Sequence, residues 1–223
     1  MSPERTRGRG LFIALEGIDG SGTTTQARRL TAALDTRGER AHFTFEPTDQ
    51  PIGRLLRQVL RGEHQCASAT IALLFAADRL EHVRGEVEPY CSAGTHVIAD
   101  RYVHSSLAYQ SLDLPLSWVS QLNTHAPAAD LTIYLRVSPE VAAERRRIRG
   151  EPDDLFDALE SQRRIAAAYD QLLGRAPGQI ERRGRGELHH RVAVVDGDRD
   201  QETIAANLSE LLDAELSRHQ GSE

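Results

Sequence analysis

This chain of 223 residues has no lysine, and all 27 of its basic residues are arginine. No role that requires a lysine side chain is open to it, and a lysine missing from any one motif belongs to a chain-wide absence. Cysteine is nearly as scarce: Cys66 and Cys91 are the two thiols, and both are expected to be free. No apolar run approaches the roughly 20 residues of a membrane-spanning helix, and the start of the chain has no secretory pattern. Positive charge is in deficit, with 33 acidic residues giving a net charge of −6 and a pI near 5.9. Non-specific nucleic-acid binding therefore has no electrostatic support from the chain as a whole, although local basic clusters remain open. These absences lead to an expected cytoplasmic protein with neither nucleic acid nor membrane as partner.

The organising stretch is LFIALEGIDGSGTTTQ at 11–26, an apolar run followed by Gly17, Gly20 and Gly22 and then a helical pattern. Measured against G-x-x-x-x-G-K-[ST], Gly17 and Gly22 have the required spacing, Thr24 occupies the hydroxyl position, and Thr23 replaces lysine. Such a turn aims backbone N–H groups and the positive end of a helix dipole at one point, where a polyphosphate fits without any side chain. The Thr24 hydroxyl is then placed to meet magnesium. An ordinary βα turn is the bland alternative, and the polar Ser21, Thr24 and Thr25 weigh against it.

Further along, apolar runs at 11–15, 41–45, 95–99, 131–137 and 192–195 read as five strands alternating with helices, the pattern of a parallel sheet. The chain is long enough for one α/β domain over 11–223, and the arginine-rich residues 1–10 are expected to be a disordered arm. Glu46, in the turn after the second strand, is a site candidate at the edge where open parallel sheets bind ligands, or a solvated acid. A long helix over 66–88 has an apolar stripe at Ile71, Leu74, Phe75, Leu80, Val83 and Val87. Phe75 and Arg79, four apart, share a face, with a core ring and a solvent-capped arginine as the plain reading. Asp100-Arg101 at the end of the third strand places a metal- or water-holding acid beside a phosphate-binding fork, or forms a simple ion pair. Ser105, Ser106 and Tyr109 follow on a short helix, and Trp118 is expected in the core. Arg145, Arg146, Arg147 and Arg149 precede Gly150 and Pro152, as in a lid over 145–157 or a solvated basic face. Residues 174–190 read as a surface connection. No histidine or cysteine spacing suggests zinc.

Six motifs, EGIDGSGTTTQ, FEPTDQPIGRLLR, LLFAADRLEH, DRYVHSSLAYQ, RGEPDDLFD and VDGDRDQETI, stand in the order and at the intervals of thymidylate kinases. The chain resembles these P-loop kinases of dTMP over about 11–215. The resemblance implies a three-layer α/β/α P-loop kinase fold with a five-stranded parallel sheet, ATP as phosphoryl donor to dTMP, Mg2+ as cofactor, and a homodimer. It implies donor binding by Gly17, Ile18, Asp19, Gly20, Ser21, Gly22, Thr23, Thr24 and Thr25, with Asp19 also near the acceptor 3′-hydroxyl and the metal. Phe75 resembles the ring on which thymine stacks, and Arg79 the donor that reads the base edge or supports the acceptor phosphate. Arg101 resembles the acceptor-phosphate arginine and Asp100 its magnesium-side neighbour. Ser106 resembles a base contact, Tyr109 a ring that helps exclude a 2′-hydroxyl, and Arg149, or else Arg145, a lid arginine that reaches the donor phosphates.

Two positions depart from that pattern. Phe45 stands where many members carry arginine, and Thr23 where nearly all carry lysine. The loop acids and glycines 19–21 contain no base while the lid contains several, so the chain resembles the lid-arginine type. Thr23 also motivates one alternative, a nucleotide-binding paralogue impaired in catalysis with a regulatory role. A kinase of another nucleoside monophosphate is the other, against which Phe75, Arg79 and Tyr109 argue.

Overall fold

The computed structural model describes residues 8–150, 156, 158–174, 180–183 and 190–220. Strand β1 (Phe12–Glu16) is buried along its whole length and occupies the middle of the sheet. Alternation divides its side chains between two layers. Leu11, Ile13 and Leu15 pack with Ala27, Leu30 and Leu34 of α1 (Thr23–Thr36) and with Ile204, Leu208 and Leu212 of the C-terminal helix Gln201–Gln220. Phe12 and Ala14 face Val83, Val87 and Tyr102 on the opposite side. A strand without a wet face carries the near-continuous apolar run seen in the sequence, and burying both faces requires three layers.

Strands β2 (Ala41–Phe45), β3 (His96–Asp100), β4 (Leu131–Arg136) and the late strand His190–Asp196 lie parallel to β1. The short strand β5 (Ile180–Arg183) pairs antiparallel with that late strand, here β6, and closes the order as β2-β3-β1-β4-β6-β5. The five parallel strands are those expected, whereas the surface connection expected over 174–190 contains this sixth strand. Its sequence, IERR, has no apolar alternation, so the backbone ladder to β6 defines it instead.

Helix α2 (Pro51–Leu60) and helix α3 (Ser68–His82) cover the β2 end of the carboxyl edge. A π turn at Val83–Val87 and the short α4 (Glu88–Ser92) extend α3 close to the expected long helix. Its buried face keeps Ile71, Val83 and Val87 of the apolar stripe, with Leu74 and Phe75 partly buried, but Leu80 is 39% exposed and Asp78, Arg79 and His82 are buried beside them. Polar groups on the β2 turn compensate those three. Helices α5 (Val103–Tyr109), α6 (Leu116–Leu122), α7 (Pro139–Arg149), α8 (Leu159–Leu173) and α9, the C-terminal helix above, complete the layers. Trp118 is half-buried, and Val119 takes the core position expected of it. The arm expected over 1–10 ends sooner, since Arg9 meets Asp130 at 2.8 Å and the Gly10 amide donates to the Cys91 carbonyl. Cys66 and Cys91 are both free. Among the described residues no helix is long and apolar enough to cross a membrane.

Gly53 lets α2 sit directly on the turn that follows β2. A Cβ there would stand 2.0 Å from the Thr48 carbonyl oxygen, and Thr48 is itself fixed by its amide and hydroxyl donating to Asp78 at 2.8 and 2.6 Å. Gly53→Ala is expected to destabilise the protein by about 1–3 kcal/mol through this backbone collision. A urea midpoint shifted down at unchanged slope is the readout; an unchanged midpoint would show that α2 does not depend on that seat.

Candidate active site

The chain leaves β1 where the strand order reverses, the crevice position of open α/β sheets. Gly20 and Gly22 have φ of 90° and 92°, which only glycine adopts at little cost, and a Cβ on Gly20 would lie 2.4 Å from the Ala142 carbonyl oxygen. The loop thus delivers Gly22 as the N-cap of α1, with Ile18 buried beneath and the Ser21 amide donating to the Ile18 carbonyl at 3.0 Å. Thr23, in the lysine position, is 5% exposed, and Thr25 is partly buried in the first turn. Thr24 Oγ1 donates to Asp100 Oδ2. Asp100 Oδ1 and Ser21 Oγ are buried without a hydrogen-bond partner. A hydroxyl, a carboxylate and an orphaned carboxylate oxygen form a hard-oxygen set that fits magnesium, an ion that takes one or two protein ligands and otherwise water and phosphate.

Beside the loop, Asp19, Arg101 and Tyr109 converge. Arg101 Nη2 donates to Asp19 Oδ1 at 2.5 Å, and Tyr109 Oη donates to Asp19 Oδ2 at 2.8 Å. Arg101 Nη1 donates to the Gly17 carbonyl at 3.0 Å and to Tyr109 Oη at 3.2 Å. Asp100 and Arg101 therefore do not form the simple ion pair: the acid faces Thr24 and the arginine faces Asp19. Burial opposes the Arg101 charge, yet Tyr109, Asp19, Tyr169 and Asp100 outweigh it and raise its pKa well above the ordinary value. Burial first, then Asp19, raises Tyr109 against the effect of Arg101, so it remains a phenol that donates. Arg101 adopts φ of 72°, a strained conformation for a non-glycine residue that turns its side chain back over the loop.

A third group lies under α3. Arg79 is 1% exposed, which removes the solvent-capped reading. Its Nη2 donates to Glu46 Oε2 at 2.7 Å and to the Tyr102 carbonyl at 3.0 Å; its Nη1 donates to Ser106 Oγ at 3.0 Å and to Asn123 Oδ1. All four Nη hydrogens have acceptors, and Nε is buried with none. Glu46 is buried rather than solvated and also meets His82 Nδ1 at 3.0 Å. Phe75 lies one turn before Arg79, partly buried against Leu56, Val59 and Ile71.

On the other side of the loop, Arg145 Nη1 approaches the Ser21 carbonyl at 3.5 Å and donates to the Gly197 carbonyl at 2.8 Å. Its Nη2 donates to the Arg199 carbonyl at 3.0 Å. Arg149 is exposed at the last position of α7. The rest of the expected lid, residues 151–155 and 157, lies outside the described residues.

Sequence reasoning missed Glu16, Gln162 and Asn123, and named Arg146 only within the lid. Arg146 Nη1 donates to the Asp19 carbonyl at 2.9 Å. Glu16 had a usable signal, since it stands at a strand's carboxyl end as Asp100 does. It is fully buried and accepts from the Tyr102 and His104 amides, at 3.0 and 3.1 Å, at the start of α5. Ser105 Oγ and Tyr169 Oη donate to its other oxygen at 2.6 and 3.0 Å. Burial raises the Glu16 pKa above its ordinary 4.5 despite these donors and the nearby Arg101. The stability tied to a carboxyl raised in this way is present below 4.5 and is lost as pH rises through the folded value. Glu16→Gln should therefore gain on the parent as pH rises, read as the difference in urea midpoints at about pH 5 and about pH 8. A difference that stays constant or shrinks with pH would reject an energetically strained carboxylate at this position.

Comparison with known proteins agrees with this geometry. Residues 15–181, well over half of the chain, match the family model described as Thymidylate kinase. A protein of Pyrococcus horikoshii named probable thymidylate kinase is 42% identical over 170 residues, covering 74% of this chain and 83% of that protein. Another so named, from Thermococcus kodakarensis, is 35% identical over 218 residues, covering 92% and 98%. One from Methanococcus maripaludis is 41% identical over 170 residues, covering 76% and 80%. With a phosphate loop at the sheet's switch point and relatives matched along nearly its entire length, the chain belongs to the thymidylate kinase family.

Proposed function

We infer that the protein transfers the γ-phosphoryl group of ATP to dTMP, giving ADP and dTDP. The observation that carries this reading is the meeting of Asp19, Arg101 and Tyr109 within hydrogen-bond distance beside a phosphate loop. Phosphoryl transfer asks a protein mainly for alignment and charge neutralisation, and these groups supply both at one place.

On the donor side the amides of 17–25 and the N-terminus of α1 cradle the β- and γ-phosphates. Thr24 and Asp100 would hold Mg2+, which when bound would offset charge on the phosphate oxygens. On the acceptor side Arg101 grips the dTMP phosphate, Asp19 holds the 3′-hydroxyl, and the Tyr109 ring leaves no room for a 2′-hydroxyl. Phe75 stacks on thymine, with Ser106 and Glu46 fixing Arg79 beneath it. Arg79 has one donor without an acceptor among the described residues, the buried Nε, and once the side chains over it give way the base edge it meets must present an acceptor. Thymine offers a carbonyl there, whereas cytosine offers an amino group and sets donor against donor.

Thr23 lacks the charge that lysine brings to the donor phosphates. Arg149 and Arg145 supply it in our reading, and Arg146, already on the Asp19 carbonyl, joins them. We further place the homodimer contact on α2 and α3, where Leu55, Leu73 and Leu80 are 40%, 50% and 39% exposed. The rest of the reading is a single domain over 11–223 working in the cytoplasm.

ADP release measured against a panel of monophosphates should show turnover with dTMP and a preference over dCMP of roughly a hundredfold or more. Equal rates with both would overturn the role of Arg79. Thr23→Lys should change dTMP-dependent turnover at saturating ATP and magnesium by less than roughly 2 kcal/mol in activation free energy, or about thirty-fold. No turnover in the parent together with strong turnover in Thr23→Lys would overturn the assignment of an active kinase.

A further inference from the structure

Gln162 lies in the first turn of α8 and is fully buried. Its amide engages Asp19 twice: Oε1 accepts from the Asp19 backbone N–H at 3.2 Å, and Nε2 donates to Asp19 Oδ2 at 2.9 Å. The second Nε2 hydrogen goes to the Phe156 carbonyl at 2.8 Å. These partners fix which way the amide points. Reversed, it would set NH2 against an N–H and a carbonyl oxygen against both a carboxylate and another carbonyl.

We propose that Gln162 is a positioning residue for the transfer reaction, holding the Asp19 carboxylate toward the acceptor sugar. The proposal rests on the reading of Asp19, Arg101 and Tyr109 given above. Three donors converge on this carboxylate: Arg101 on Oδ1, and Tyr109 and Gln162 on Oδ2. In that reading the acceptor nucleotide claims Arg101 through its phosphate and presses against the Tyr109 ring. Neither can then serve as a fixed support. Gln162 faces no substrate group, and its double contact spans both the backbone and the carboxylate of one residue, so it resists rotation as well as translation. Arg146 on the Asp19 carbonyl steadies the same peptide from α7 but does not reach the carboxylate.

The contact predicts a pH signature that a packing role would not produce. Gln162→Glu keeps the shape of the side chain and, when ionised, sets a second carboxylate at hydrogen-bond distance from Asp19 Oδ2. Two carboxylates so close share one proton, and loss of that shared proton is then pushed above the ordinary carboxylate range. Among the described residues, the charged and titratable groups facing the pair are Arg101 after β3, Tyr109 on α5 and Arg146 on α7, with Glu16 and Tyr169 behind Ser105. The arginines moderate the upward shift, and Tyr109 remains a neutral donor. In acid, the protonated carboxyl introduced by Gln162→Glu donates to Asp19 and so replaces the donor that Nε2 supplies in the parent. As pH rises the donor is lost and Asp19 is repelled.

The test uses the full chain and measures dTMP-dependent ADP release by the parent, Gln162→Glu and Gln162→Ala across pH, each variant taken as a ratio to the parent so that titration of dTMP itself cancels. For Gln162→Ala the KM for dTMP should rise roughly ten- to a hundredfold at every pH, with the KM for ATP changed by less than about threefold. For Gln162→Glu the ratio should approach the parent in acid and fall as pH rises; recovery within one folded protein separates the effect from misfolding. Carboxyl-carbon NMR of the free protein supplies a readout independent of activity, in which Asp19 and the introduced carboxyl should titrate together in two steps, the second above parent Asp19. A ratio for Gln162→Glu that does not vary with pH, or KM values for ATP and dTMP that rise together, would overturn the proposal. Should the parent not turn over dTMP at all, the kinase reading fails, and the NMR titration alone then decides whether Gln162 governs the Asp19 carboxylate.

Discussion

A carboxylate out of reach of water sits under the whole catalytic edge. Glu16 ends the central strand, and its acceptor capacity is met by two amides that open α5 and by hydroxyls from α5 and α8. Burying such a group is costly unless donors surround it, so the elements that bring those donors are not free to drift apart. One residue thereby sets the spacing between β1, the turn that carries Arg101, and the helix that carries Tyr169. The phosphate loop starts at the next residue.

Charge in this site is handled almost entirely by planar guanidinium groups. Arg101 and Arg79 each make several directed hydrogen bonds, and each lies over an aromatic ring, that of Tyr109 at 5.2 Å and that of Tyr102 at 5.3 Å. A lysine in either place would offer a point charge on a flexible stem, without the fork or the flat face. In the proposed reading the absence of lysine thus leaves the acceptor side complete and falls on the donor side, at Thr23. There the neighbouring positive groups come from α7, a different element from the loop that ordinarily carries the charge.

The central strands were legible because a strand buried on both faces must be apolar without interruption, and the glycines that leave β1 mark a turn no other residue makes cheaply. The β5 strand was not legible, since an edge strand is defined by its ladder and need carry no pattern. For α3 and its extension, periodicity found Ile71, Val83 and Val87 but not the limits of the buried face: Leu80 fits an apolar stripe as well as any core residue and is exposed, and nothing local tells that Asp78, Arg79 and His82 find partners across the turn after β2. The same limit explains Gln162. Its partner is 143 positions away in the chain, and a glutamine in a helix carries no mark of what its amide meets. Motif resemblance singled out Asp19, Arg101 and Tyr109, which stand in short stretches of sequence and meet in the fold.

Arg79 has a further consequence. Its four Nη hydrogens are already taken up by Glu46, Tyr102, Ser106 and Asn123 before any nucleotide arrives. An arginine side chain gives up about 2 kcal/mol of rotamer entropy when it is fixed, and here folding bears that loss rather than binding. In the proposed reading the base edge then meets an arginine that does not itself move on binding, once the groups over its buried Nε give way. Base selectivity would accordingly depend on the rigidity of the folded state, and warming the protein toward its unfolding transition would blur it before abolishing phosphate binding at the glycine loop.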